Sequence, residues 1–375
     1  MRLAVDAGLG SSRYGGLGGY VMRIVRGLAA TPGFEVSALV PAHNLGRNEI
    51  GDLPGDSRVI PVEVGRPELD FYDRRVYWEQ EVLPSVLSEG GYDAYFGPTL
   101  LLPLAWPGPK VVAIHDLAFE AAPDLNTPRS TAFYQKWAKP SAQAAAGIAA
   151  ISHTTARDLD QLWGIADTVT VTHLAPCLEF VPADREESRR AVSATLDISG
   201  PYALNVGGDF PRKNLSRLLD AVPLASKFRR EHTLVLVIPY RPEDMTELVR
   251  RRELQDCVKV VGYCPPELLP HLFSAADFFV YPSLFEGFGL PPLEAMQCGT
   301  PVAVSDRDPF REVLGADNAL YFDPTDPGSM ADALDRLTAD RDLRDQLAAG
   351  GPSRAARYSW ESTVRDTSEL IARVA

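Results

Sequence analysis

Glu286 and Glu294 stand eight positions apart and bracket a segment that reads Glu-Gly-Phe-Gly-Leu-Pro-Pro-Leu-Glu. A carboxylate on a Gly-rich turn, followed two helical turns later by a second, suits a ligand carrying two sets of hydroxyls. Such a turn also aims backbone N–H groups at an anion, as helix N-termini do. Hexose hydroxyls, a diphosphate and ribose hydroxyls together have that polarity. Either glutamate alone reads equally well as a helix cap or a solvent-facing residue. The Gly287, Phe288, Gly289, Leu290 stretch between them makes the joint reading the stronger one.

A second candidate element is Asn205-Val-Gly-Gly-Asp-Phe-Pro-Arg-Lys-Asn, which runs from an apolar stretch into Gly207 and then Arg212 and Lys213. Adjacent cations beside a turn can clamp a diphosphate, arginine in a bidentate manner, and neutralise a departing phosphate. The plain alternative is a pair of solvated helix-start residues. Near the N-terminus, Gly15 and Gly16 begin a glycine cluster that opens a helix. Glycines there let a phosphate approach the backbone, but the dinucleotide spacing is not met cleanly. No acidic residue ends the second strand, so a nicotinamide cofactor is not expected. His115 and Asp116 follow the apolar run Val111–Ile114. The histidine could bond a sugar hydroxyl or serve as a satisfied core residue; Asp116 could instead cap the next turn. Arg66–Trp78 mixes aromatics and arginines, and Tyr72 and Arg74, with Asp116, are the acceptor-side candidates. The bland reading there is an ordinary helix with core aromatics. The six histidines are dispersed and supply no metal cluster, and no Gly-x-Ser-x-Gly elbow occurs.

These residues need a scaffold, and the hydrophobic pattern outlines one. With 375 residues the chain is long for one core, so two domains are expected. Short β-branched runs alternate with amphipathic segments from Leu3–Val5 to Val169–Leu174. The pattern restarts at Tyr202–Val206 and continues to Ala319–Phe322. Strand–helix alternation predicts doubly wound parallel sheets, and the class is α/β. The expected division is an N-terminal Rossmann-like domain over 1–175, a linker over 176–200, a second Rossmann-like domain over 201–355 and a closing helix over 356–375. Two such domains should face one another across a cleft, with ligands at the carboxyl ends of the strands.

A net charge of -13 disfavours nucleic acid and anionic membrane surfaces as partners. Arg250–Arg252 is the densest basic run and reads as a solvated helix face. Cys177, Cys257, Cys264 and Cys298 form no Cys-x-x-Cys pair, which favours a reducing, cytoplasmic setting. No signal peptide or membrane-spanning run is read from the sequence.

On the Glu286…Glu294 block with its trailing Ala-Met-Gln-Cys-Gly-Thr-Pro-Val, the Arg212-Lys213-Asn214 element and the stretch Ala149–Leu159, the chain resembles the family 4 retaining glycosyltransferases of the GT-B fold. Val261-Gly-Tyr263 and Ala275-Ala-Asp277 fall in the same order. The resemblance implies transfer of a hexose from a nucleoside diphosphate sugar to an acceptor hydroxyl, with no further cofactor. It implies that Gly15 and Gly16 approach the donor phosphates and that Arg212 and Lys213 hold them. Glu286 and the backbone of Phe288, Gly289 and Leu290 would bind sugar and phosphate, Glu294 the ribose, His115 the neighbourhood of the reacting carbon, and Gly262 the base. Many members carry Gly-Arg where this chain has Gly207-Gly208, so a phosphate contact is either lost or carried by Arg212 alone. Tyr77-Trp-Glu-Gln80 with His115-Asp-Leu117 looks most like the subgroup adding mannose or rhamnose to glycans. A glycan, a lipid-linked sugar or a small molecule would be the acceptor; a homodimer and peripheral attachment at the inner membrane face are compatible with this. The rival readings are a phosphorylase or a nucleotide-sugar 2-epimerase on the same architecture, and a non-catalytic sugar-nucleotide-binding protein.

Overall fold

A computed structural model of the chain describes residues 1–11, 15–66 and 68–375. It divides into two compact units. The first comprises Met1–Leu174 and Tyr358–Ala375; the second is the continuous stretch Ala175–Arg357.

The first unit is built on a seven-stranded sheet. Its strands are β1 (Arg2–Asp6), β2 (Glu35–Pro41), β3 (Arg58–Val62), β4 (Ala94–Gly97), β5 (Lys110–Ile114), β6 (Gly147–Ala150) and β7 (Val169–Val171). They run parallel in the order β3-β2-β1-β4-β5-β6-β7. The second unit holds β8 (Tyr202–Val206), β9 (Thr233–Val237), β10 (Val258–Val261), β11 (Phe278–Tyr281), β12 (Val302–Ser305) and β13 (Leu320–Phe322). These are parallel in the order β10-β9-β8-β11-β12-β13. Central strands such as β5 and β11 are buried along their whole length. Runs like Phe-Phe-Val-Tyr therefore need no polar alternation, because helices cover both faces. Tyr95, Trp106 and Ile148 belong to the first core; Phe228, Leu236 and Met330 belong to the second.

In each sheet the strand order reverses once beside its first strand, between β1 and β4 and between β8 and β11. Chain connections leave those neighbouring strands in opposite directions, which opens a crevice at their carboxyl ends.

Local structure matches some of these expectations and departs from others. The glycine cluster opens its helix, with Gly15 and Gly16 the first residues of Gly15–Ala30. A Cβ at Gly18 would lie 2.0 Å from the Ser11 carbonyl oxygen, so this turn needs glycine where the helix passes the loop after β1. The helix expected over Arg74–Glu89 begins at Phe71, capped by Asp70, and widens into a π-turn over Trp78–Val82. The stretch 176–200, read as a linker, carries the helix Arg185–Leu196, capped by Asp184, within the second unit. Arg250 and Arg251 are exposed and both pair with Glu247, and Arg252 pairs with Asp220, so the basic run is a solvated face whose three charges meet two carboxylates. The final helix, Trp360–Val374, starts on the Ser359 cap and packs into the first unit. Its Val364 fills the space above Gly27, where a Cβ would sit 2.2 Å away, and Thr363 donates to the His173 carbonyl at 2.6 Å.

Candidate functional site

The crevice between β8 and β11 collects the residues singled out above. After β8 the chain passes Gly207 and Gly208, then makes a tight turn over Pro211–Lys213. Asn214 follows with φ +59 and starts the helix Leu215–Ala221. Asparagine tolerates that left-handed conformation. Its buried side chain donates to the carbonyls of Pro282 (3.0 Å) and Pro324 (2.8 Å), which ties the turn to the segment after β11. Leu284 N–H completes the tie by donating to the Arg212 carbonyl at 2.7 Å.

That zipper brings Arg212, Lys213 and Glu286 together. Lys213 Nζ lies 2.6 Å from Glu286 Oε1, and Arg212 Nη1 lies 3.0 Å from Oε2. Burial pushes the Glu286 carboxyl up. The charges of Lys213 and Arg212, with their hydrogen bonds, outweigh that and hold it down at about 2. The shift corresponds to about 3 kcal/mol in favour of the ionised form. Two cations thus meet one carboxylate at the carboxyl end of this sheet.

Gly289 has φ +97 and stands at the N-terminus of the helix Leu290–Gln297. A Cβ there would fall 2.8 Å from the Phe310 ring, so both conformation and space demand glycine. Pro291 and Pro292 occupy the first turn, where a missing N–H costs nothing. Glu294 lies on this helix and is partly buried; its charge is felt at Tyr281. Gly207 sits where a Cβ would meet nothing within 4 Å, and Gly262 follows β10 with Tyr263 73% exposed beside it. Gly207, Arg212, Lys213, Gly262, Glu286, Gly287, Phe288, Gly289, Leu290 and Glu294 therefore share the carboxyl end of one sheet.

The remaining candidates belong to the first unit. His115 follows β5, and its Nε2 is 2.8 Å from the Pro98 carbonyl. A carbonyl only accepts, so Nε2 carries the proton and Nδ1 is the acceptor. Burial lowers the imidazole, against the opposing effects of the Pro98 bond and Asp116, and keeps it neutral. Asp116 Oδ1 accepts from Ala118 N–H at 3.0 Å, which is the capping role. Tyr72 packs on Phe133 and Phe71 with Arg129 over its ring, and Arg74 donates to the Leu69 carbonyl.

Three residues of the site were given no role by the sequence reading: Tyr281, Ser283 and Asn214. Tyr281 OH is 2.5 Å from Lys213 Nζ and 3.1 Å from Glu286 Oε1; Ser283 Oγ is 2.7 Å from the same oxygen. The signal available was the position of Tyr-Pro-Ser at a strand's end, its serine three residues before the glutamate.

Known proteins share these features. Residues 14–175 match the family model described as Glycosyltransferase Family 4, and residues 188–354 the one described as Glycosyl transferases group 1. The O-antigen chain mannosyltransferase B of Escherichia coli is 32% identical over 277 residues, which cover 73% of this chain and 72% of that protein. This chain belongs to glycosyltransferase family 4. Another relative in the family, the Escherichia coli serotype-specific mannosyltransferase WbdA, is 28% identical over 234 residues, which cover 60% of this chain but only 29% of WbdA. Among solved structures, sucrose-phosphate synthase from Thermosynechococcus elongatus superposes with a TM-score of 0.80 at 21% identity, covering 100% of this chain and 98% of that one. The Anabaena protein HepE, solved with UDP and glucose, gives a TM-score of 0.73 at 17% identity, with 99% of each chain covered. At those identities the likeness speaks for the fold, which is the GT-B class. The chain is a glycosyltransferase. No helix among the described residues is long and apolar enough to cross a membrane.

Proposed function

We propose that the protein moves a hexosyl group, mannose-like in stereochemistry, from a nucleoside diphosphate sugar to an acceptor hydroxyl with retention at the anomeric carbon. The observation that carries this reading is the convergence of Arg212 and Lys213 on Glu286 at the β8/β11 crevice. The diphosphate would take Arg212 and Lys213, with the N–H groups at Phe288, Gly289 and Leu290 beside it. Glu286 would accept hydroxyl bonds from the sugar and Glu294 from the ribose. The identity with mannosyltransferases supports the choice of sugar, and HepE, solved with UDP and glucose, supports the donor class.

In the step itself the acceptor oxygen bonds to the anomeric carbon on the face the phosphate leaves. The carbon–phosphate-oxygen bond breaks, and the acceptor proton passes to the departing phosphate oxygen. Arg212 and Lys213 stabilise the charge that gathers there, in the role a divalent cation fills elsewhere.

The test is a thermal-shift panel of UDP, GDP, dTDP and ADP with their hexose conjugates. A ligand that binds only the folded state raises the midpoint. One nucleotide should do so, and Lys213→Ala should abolish the effect. No shift with any of them would remove the donor-site assignment.

A further inference from the structure

The two oxygens of Glu286 are unequal. Oε1 receives three donors: Lys213 Nζ at 2.6 Å, Ser283 Oγ at 2.7 Å and Tyr281 OH at 3.1 Å. Oε2 receives Arg212 Nη1 at 3.0 Å. A carboxylate oxygen has about two lone-pair sites, so Oε1 has no capacity left for a ligand and Oε2 does. The donors also differ in how firmly they are placed. The Tyr281 side chain ends β11 and is 1% exposed, its ring stacked on Phe279 at 5.8 Å and edge-on to Phe310 at 5.9 Å. Ser283 is fully buried, and its single hydroxyl proton has its shortest contact with Oε1, the Arg212 and Phe285 carbonyls lying farther off at 3.0 and 3.2 Å. Arg212 is the outermost partner, its side chain 25% exposed against 13% for Lys213.

We infer that Tyr281, helped by Ser283, is a positioning residue that fixes Glu286 through Oε1 so that Oε2 alone faces the donor sugar. The inference rests on the donor-site reading above. Arriving diphosphate offers Arg212 a doubly charged partner in place of one carboxylate oxygen, and a guanidinium binds phosphate in a bidentate manner. When Arg212 turns to the phosphate, Oε2 loses its donor and becomes the acceptor for a sugar hydroxyl. Without an anchor, the carboxylate would follow the arginine. Tyr281 and Ser283 are neutral donors that a phosphate does not attract, so they hold Glu286 in place during the exchange. The phenol is suited to this because burial and the Glu286 charge keep it protonated. Diphosphate recognition and sugar recognition are thereby linked through one carboxylate.

The experiment compares GDP with GDP-mannose, and UDP with UDP-glucose in parallel, on wild type and Tyr281→Phe by isothermal titration. The phenylalanine keeps the ring packing and removes one donor to Oε1. Affinity for the bare diphosphate should stay within about twofold. Affinity for the sugar conjugate should fall about tenfold, the size of one hydrogen bond to a charged group. A purely structural role would weaken both ligands together; that result, or equal affinities in both proteins, overturns the inference. Ser283→Ala is the second variant should Tyr281→Phe fold poorly, with the same sign expected. Wild type that binds neither ligand pair would overturn the donor-site reading and this inference with it. A thermal double-mutant cycle between Tyr281→Phe and Glu286→Gln reads the anchor without any ligand: coupling is expected, and additivity would refute the phenol–carboxylate bond.

Discussion

Each unit places a charged cluster with a tyrosine at the crevice where its strand order reverses, and the two clusters behave in opposite ways. In the second unit two cations face Glu286, whose carboxyl is held at about 2. In the first, Asp6 ends β1, and Arg75 and Glu79 come from the helix and π-turn above it. Arg75 lies 3.2 Å from Glu79 and 3.7 Å from Asp6, and also donates to the Thr99 carbonyl at 3.1 Å and to the Thr99 hydroxyl. Asp6 further accepts from Trp78 Nε1 at 3.1 Å and Gly8 N–H at 3.0 Å. Glu79 is 0% exposed, and burial, then the Asp6 charge, raise its carboxyl well above the ordinary range despite Arg75. One cation cannot serve two buried carboxylates, so a proton makes up the difference. The ratio of charges, rather than their presence, separates a cluster open to an anion from one closed on itself. The closed cluster still reaches a candidate residue. It grips Thr99, next to the Pro98 carbonyl that orients His115.

The largest expected effect breaks the closed cluster. Arg75→Met strands the buried Asp6 carboxylate, removes the charged partner of Glu79 and should cost about 3–5 kcal/mol of unfolding free energy in urea titrations. A change under about 1 kcal/mol would mean that Arg75 is not their counter-charge. Next, Lys213→Met should lower transfer from the donor that the binding panel selects by about 10²–10³-fold in kcat, the size of one lost charge-stabilising donor. Retained turnover would remove the open cluster from the chemistry.

Paired amide substitutions sharpen the contrast. Glu286→Gln leaves two cations uncompensated and should destabilise the protein by up to about 3 kcal/mol while tightening binding of inorganic pyrophosphate. Glu79→Gln copies the protonated carboxyl and should change stability by less than about 1 kcal/mol. Equal costs by urea titration would erase the distinction.

The smallest effect is a slope. Glu286 is depressed on folding, so its contribution is present above the ordinary glutamate range and is lost as pH falls toward about 2. Glu79 is raised, so its contribution is full below the ordinary range and is lost as pH rises through the elevated value. Stability measured against pH should lose the acid-side slope in Glu286→Gln and the opposite, higher-pH slope in Glu79→Gln.

The fold was largely legible because its strands are unbroken runs of apolar residues buried on both faces. Val258–Val261 and Phe278–Tyr281 have the bounds their hydrophobicity indicates. Helices were less so. Ser329–Ala348 reads as one amphipathic segment, yet Asp340 ends one helix and caps the next, a choice made by a local hydrogen bond to Leu343 N–H. The charged Arg185–Leu196 helix has too weak an apolar stripe to announce itself. In the site, Arg212, Lys213 and Glu286 stand out because charged residues beside glycines are unusual after buried strands. Tyr281 does not, because a tyrosine ending an aromatic strand looks like core until its hydroxyl finds Lys213. Arg74 and Arg75 are adjacent and alike in sequence, and only the helix's orientation sends the second inward.

The route of the chain also has a consequence in time. The helix Trp360–Val374 completes the first unit, covering Gly27 and, through Leu370, Gly147. It is made only after the whole second unit. On the ribosome, the seven-stranded half must wait with that apolar seam uncovered while its six-stranded neighbour, an unbroken stretch, folds first. The half begun first is the half finished last, so nascent-chain shortening before Trp360 should leave the six-stranded half folded and its neighbour open to chaperones and proteases.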